Sequence, residues 1–169
     1  MVDAPDREKP RFPVWKADEV YFKLESIVSE IKSANPDCAG ISSGAAGGDI
    51  LFQEICIHLG ISSKVYLPMP ADEFIKGSVA FAGRNWIERF RHILKSRPSE
   101  VVQPTKDSTT ANPYSRTNEW MLQEAISSIP SRVLLVVLWD GKDGDGEGGA
   151  SEMVQLCRAK GVEVIQVQP

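Results

Sequence analysis

A chain of 169 residues has room for one compact domain with a full core, and not for two independent ones. Its 42% apolar and 25% charged residues, at a mean hydropathy of −0.19, belong to a chain that folds and exclude the low-hydrophobicity, high-charge composition of disorder. With 19 Lys+Arg against 23 Asp+Glu the net charge is −4, so no global basic field gathers nucleic acid, and such a partner is not expected.

The longest apolar run, Val133 to Trp139, has the length of a strand, far short of the roughly 18 to 20 residues that span a bilayer, and no membrane partner is expected. The polar first ten residues lack the apolar stretch of a secretory signal, which makes the cytoplasm the expected compartment. Cys38, Cys56 and Cys157 are odd in number and include no CxxC pair. They indicate neither a disulfide framework nor a zinc ribbon and are read as small buried apolar residues.

Residues 1–13 carry three prolines and no periodicity, and read as a flexible tail docking only through Arg11-Phe12-Pro13, ahead of a single domain over 14–169. Val20, Leu24, Ile27, Val28 and Ile31 recur at steps of three and four and predict a helix over 16–33, stopped by Asn35-Pro36-Asp37. Cys38 to Ser42 predicts a short strand that runs into a glycine turn, and Ile50, Leu51, Ile55 and Leu59 mark the next helix, ended by Gly60. Ser63 to Leu67 predicts a second strand, closed by Pro68-Met69-Pro70, with a helical stretch over Ala71 to Ser78 completing a βαβ unit.

Trp86, Phe90, Ile93 and Leu94 predict a further helix, followed by a weak strand at Glu100 to Gln103 and a polar loop over Thr105 to Asn112. Trp120, Met121, Ala125, Ile126 and Ile129 predict another helix. Arg132 to Trp139 is the strongest strand signal, an unbroken apolar run of the kind a central parallel strand covered on both faces requires. A Gly/Asp loop, a helix from Gly149 to Lys160 stopped by Gly161, and a strand from Val162 to Val167 complete the chain. This alternation predicts a Rossmann-like three-layer α/β/α sandwich with a mostly parallel sheet of about five strands, in which ligands sit beyond the carboxyl ends of the strands.

The first candidate site is Ser42-Ser43-Gly44-Ala45-Ala46-Gly47-Gly48-Asp49. A helix that starts directly after a strand offers unpaired N–H groups and the positive end of its dipole, and glycines let an anion such as phosphate approach closely. The pattern is neither GxGxxG, since Ala46 and Asp49 stand at the second and third glycines, nor a Walker loop. Asp49 competes with phosphate for the same N–H groups, faces a ribose hydroxyl, or caps the helix; a plain tight turn is the alternative for the whole segment. The second candidate lies between Trp139-Asp140-Gly141 and Gly148-Gly149-Ala150-Ser151-Glu152, where a second helix opens on the same expected rim.

Asp143, Asp145 and Glu147 imitate the opening of a calcium loop, but Val154 stands where its bidentate Glu belongs, and Lys142 to Gly146 is read as a mobile acidic loop. No metal or cofactor is predicted. His58 and His92 fit surface positions better than a catalytic pattern. Arg84, beside Trp86, is either a phosphate contact or an exposed helix opening paired with Glu88. Arg116, Asn118 and Glu119 are weaker candidates of the same kind.

Ser43-Gly44-Ala45-Ala46-Gly47-Gly48-Asp49-Ile50-Leu51-Phe52, Val65-Tyr66-Leu67-Pro68-Met69-Pro70, Trp86-Ile87-Glu88-Arg89-Phe90, and Trp139-Asp140-Gly141 with Gly148-Gly149-Ala150-Ser151-Glu152 together resemble the SLOG superfamily. That Rossmann-like group includes the cytokinin-activating phosphoribohydrolases and the Smf/DprA DNA-processing proteins. The resemblance spans roughly residues 38–167 and is strongest to SLOG-type domains of bacterial signalling proteins. It implies a nucleotide or nucleotide-derived ligand across the two glycine loops, held by Ser42, Ser43, Gly44, Ala45, Gly47, Gly48, Asp49, Arg84, Trp139, Gly148, Gly149, Ala150 and Ser151. It also implies readout through a partner signalling domain or a second copy of the chain.

The phosphoribohydrolase branch cleaves the N-glycosidic bond of nucleoside 5'-monophosphates and carries Pro-Gly-Gly-x-Gly-Thr-x-x-Glu. Here the corresponding run lacks the proline and threonine and reaches its acid sooner, which carries over only Glu152 as catalytic carboxylate and favours a sensor over an enzyme. A protein-interaction module without ligand is the third expectation.

Overall fold

The computed structural model describes residues 1–4, 7–101, 112–128, 132–142 and 147–169, the side chain of Val101 excepted. Helix α1 (Ala17–Ala34) buries Val20, Leu24 and Val28 at the predicted spacing and ends where the Asn35 N–H bonds the Ile31 carbonyl, one residue before Pro36. Strand β1 (Ala39–Ser42), helix α2 (Gly48–His58) and strand β2 (Ser62–Leu67) form the βαβ unit. Helices α3 (Ala71–Ser78) and α4 (Arg84–Ser96) follow, with a short 3-10 turn at Ala80–Ala82 between them. The remaining elements are β3 (Ser99–Val101), α5 (Pro113–Ser128), β4 (Leu134–Leu138), α6 (Ala150–Ala159) and β5 (Glu163–Val167). The predicted strand tail at 102–103, the loop over 105–111, Ile129 and the acidic loop at 143–146 lie outside the described residues.

All strand pairings are parallel. In the first sheet, ordered β1-β2-β3, Ala39 pairs with Ser62 and Ser42 with Val65 on one side of β2, and Val65 with Ser99 on the other. The second ladder pairs β4 with β5, from Leu134 opposite Glu163 to Leu138 opposite Val167. Alternation along β2 shows the two covering layers. Val65 and Leu67 belong to the main core with α1, α2 and α4, whereas the Tyr66 ring stands edge-on to Trp120 of α5 with centroids 4.4 Å apart. Helix α5 in turn packs on α6. The molecule is therefore an α/β fold with helices on both faces of parallel strands.

Two details differ from the expectation. The middle strand is β2, with Val65, Tyr66 and Leu67 buried; β4 pairs with β5 among the described residues and buries only Val137 below a tenth exposed. Strand β1 is four residues long before it turns into the glycine loop, a short edge for a further ladder, and β4 joins the main core through the side chains of Val136 and Leu138 instead. The N-terminal segment docks at both of its ends and not only at 11–13. Val2 is 3% exposed and Phe12 2%, and the Val2 N–H bonds the Ala46 carbonyl at 2.7 Å. The physical reason is Asp3, whose Oδ2 accepts the Arg11 N–H at 2.8 Å and the Phe12 N–H at 2.7 Å and so closes the segment on itself.

Candidate functional site

The first helix opening is fixed from below by Gln53, which is wholly buried. Its amide donates to Ser42 Oγ at 2.9 Å and to the Lys64 carbonyl at 3.2 Å, and its Oε1 accepts the Ser63 hydroxyl at 2.8 Å. Ser42 passes its own proton to the Ser43 carbonyl at 2.7 Å, so its hydroxyl holds the end of β1 and is not turned to a ligand. The Ser43 hydroxyl takes no hydrogen bond among the described residues. Gly44 lies directly over the Phe90 ring, where a Cβ would overlap Cε2 and Cδ2. Gly47 has φ +133, a conformation that L side chains rarely adopt, and a Cβ there would lie 2.8 Å from the Val2 nitrogen.

Gly48 opens α2, and a Cβ on it would stand 3.4 Å from Leu138 Cβ at the end of β4. Asp49, in the first turn, folds back so that Oδ2 accepts the Ala45 N–H at 3.1 Å. Burial pushes the Asp49 carboxyl above the usual carboxylate range, against the opposing pull of the Met1 ammonium and the Ala45 N–H.

The second opening repeats the device. Gly149 is the cap of α6, Ala150 and Ser151 begin the helix, and Glu152 returns Oε2 to accept the Gly148 N–H at 2.6 Å. The same oxygen accepts the Ser115 hydroxyl at 3.0 Å, while Oε1 takes no hydrogen bond among the described residues. Gly148 has φ +80 and is packed so closely on Tyr114 that a Cβ would overlap it, and its carbonyl accepts the Asn118 amide at 3.0 Å. At both openings, then, an acid four residues on takes the loop amide that an anion would otherwise bind.

Tyr114 joins the two openings. Its Cβ rests on Gly148, its hydroxyl shares a hydrogen bond with Ser78 Oγ at 3.0 Å, and the Ser78 carbonyl accepts the Ala46 N–H at 2.9 Å. With Gly48 against Leu138, both glycine loops stand on one rim, past the carboxyl ends of β1 and β4.

Besides Ser42, two of the sequence-predicted residues are directed elsewhere. Arg84 is 91% exposed and bonds Glu88 on its own helix at 2.8 Å, so it is an exposed helix opening and not part of the rim. Trp139 starts the second loop but donates its indole N–H to the Lys142 carbonyl at 2.6 Å. Tyr114, Ser115 and Ser78 are residues that sequence reasoning missed. Asn112-Pro113 was the available signal: Asn112 Oδ1 accepts the Tyr114 N–H at 2.8 Å, the pattern of an Asn cap followed by Pro at the first helical position.

Compared with protein families, with curated proteins and with solved structures, the chain matches none. Among the described residues no group of three His, Cys, Asp or Glu side chains is placed to hold a metal ion, and no helix is long and apolar enough to cross a membrane. His58 and His92 are exposed. Burial pushes the Cys56 thiol up to about 12, against the Arg97 charge and the neighbouring Ser63 hydroxyl, which removes it as a nucleophile. Cys56 and Cys157 are buried as expected, and Cys38 is only half-buried.

Proposed function

We propose that this chain binds a nucleotide or nucleotide-derived ligand at the rim between its two glycine loops and reports the binding to a partner domain or a second copy. The observation that carries this is the linkage of two glycine-opened helices, remote in sequence, through Tyr114 at the carboxyl ends of parallel strands. Ligands of open α/β sheets lie at such a place. The SLOG resemblance supports the same ligand class.

In this reading Ser43, Gly44, Ala45, Gly47 and Gly48 line the phosphate side, and Gly148, Gly149, Ala150 and Ser151 the opposite edge. Asp49 and Glu152 accept ribose hydroxyls, or yield their loop amides to the phosphate. Arg84 has no role. Thermal unfolding and isothermal titration against nucleoside mono-, di- and triphosphates test it. A true ligand at about a hundredfold over its Kd adds about 2.7 kcal/mol of stability. No stabilisation by any of them, with the fold intact, leaves the interaction module as the function.

One observation favours a second reading, hydrolysis of a nucleoside 5'-monophosphate: Glu152 is held through Oε2, while Oε1 takes no hydrogen bond among the described residues. Free adenine released from AMP by the wild type, and lost in Glu152→Gln, is the result that reading requires.

A further inference from the structure

We infer that the N-terminal segment, described at residues 1–4 and 7–13, is a strap that closes the first glycine loop and has to lift before a ligand can reach it. The inference takes from the proposed function only what the rim receives; the strap itself is argued from packing. The Met1–Val2 backbone occupies the space directly over Gly47, where a Cβ would meet Val2 N at 2.8 Å and Met1 C and Cα at 3.0 Å. A ligand atom approaching Gly47 from that side competes for the same volume. The Val2 N–H also takes the Ala46 carbonyl, so the segment is seated on the loop by main chain as well as by the buried valine.

The other end of the segment crosses to the second loop. Arg11 Nε lies 3.4 Å from Oδ2 of Asp140, two residues past the end of β4, and Phe12 enters the core beside it. Between these anchors Asp3 ties the segment back on itself. Asp3 accepts the Arg11 and Phe12 N–H groups, donates its own N–H to the Phe12 carbonyl at 2.8 Å, and pairs with Arg7 at 3.4 Å. An open groove of about 320 Å³ lies along it, lined by Asp3, Arg7 and Pro10 of the strap and by Val14, Phe81 and Ala82 of the body. A loop closed on itself through Asp3 can leave as a unit without unravelling the sheet.

The test uses the full chain with Arg11→Ala, which removes the clamp on Asp140, and Asp3→Ala, which opens the loop closure. Hydrogen exchange is followed in the segment 43–52, with the β2 segment 62–67 as control for an intact fold, and AMP is titrated into each protein. Exchange across 43–52 is expected to rise about tenfold in the variants with β2 unchanged, and AMP to bind about tenfold tighter, as for a site whose open state is populated about a tenth of the time. Unchanged exchange in 43–52 while residues 1–13 themselves exchange faster overturns the strap. Equal AMP affinity in all three proteins overturns it as a gate. Faster exchange with AMP bound by none of them supports the strap and rejects the nucleotide. If Asp3→Ala loses the β2 control, Arg11→Ala, at a partly exposed side chain, decides alone.

Discussion

Asp49 sits where ionising is unfavourable, because burial at the opening of α2 takes water from its carboxylate, and the Met1 ammonium and the Ala45 N–H offset that loss only in part. With the folded value above the ordinary one, the folded state keeps a proton that the unfolded state has already released. This contribution to stability is complete below the ordinary carboxylate value and is lost as pH rises through the raised one. Asparagine at this position stays neutral and still offers an oxygen to the Ala45 N–H. In urea unfolding, Asp49→Asn is therefore expected to gain on the wild type as pH rises through that window, by about 1.4 kcal/mol for each unit by which folding raises the carboxyl. A difference that does not change with pH would place the carboxylate in water. The same residue decides what the first opening can bind: a phosphate must displace this carboxylate, whereas a hydroxyl can donate to it.

At the scale of the element, α5 positions half of the rim although its first turns carry almost no apolar signal. Asn112 caps it, Thr117 returns its hydroxyl to the Pro113 carbonyl at 2.9 Å, and the buried Thr117 and Asn118 are polar. Asn112→Ala is expected to cost about 1 kcal/mol in chemical denaturation, within the usual 0.5–2 kcal/mol for a lost cap, and Asn112→Ser to restore most of it. Because Tyr114 and Ser115 follow the cap directly, the alanine variant is also expected to speed exchange of the Gly148 N–H, which a helix frayed elsewhere would leave alone.

This explains which elements were legible in the sequence. Helix α3 lies over Ala71–Ser78, the stretch expected after Pro68-Met69-Pro70, and β2 differs by one residue. The start of α5 was placed late because apolar spacing begins only near Trp120. Val2 is an isolated apolar residue with no period, so its burial left no pattern to read. At the rim, glycine content showed where the backbone turns. That Asp49 and Glu152 fold back onto their own loops depends on first-turn geometry, which composition does not encode.

For the whole molecule, one apolar cluster runs from Val2 to Val167, yet among the described residues the strands hydrogen-bond as separate groups of three and two. Burial is unequal between them. In β2, Val65, Tyr66 and Leu67 are at most 1% exposed, whereas in β4 and β5 only Val137 at 7% and Val167 at 5% fall among the buried residues. Helices α2 and α4 brace the first sheet with the Arg89–Glu54 pair, bonded at 2.7 and 2.5 Å, and the Arg89 guanidinium lies 4.2 Å from the Trp86 ring centroid. Backbone opening is easiest where apolar burial is least, so the β4–β5 ladder is expected to exchange its amides by a smaller, subglobal opening while β2 exchanges only through global unfolding. Low denaturant separates these regimes: exchange in β2 should accelerate with the full unfolding slope and exchange in β4–β5 with a shallower one. Identical slopes in both ladders would mean that they open as one unit. In that case the second glycine loop, which hangs between β4 and α6, could not move against the first without unfolding the protein. If the slopes differ, the rim joins a firm half to a compliant one, and a ligand bridging both would draw them together through Tyr114.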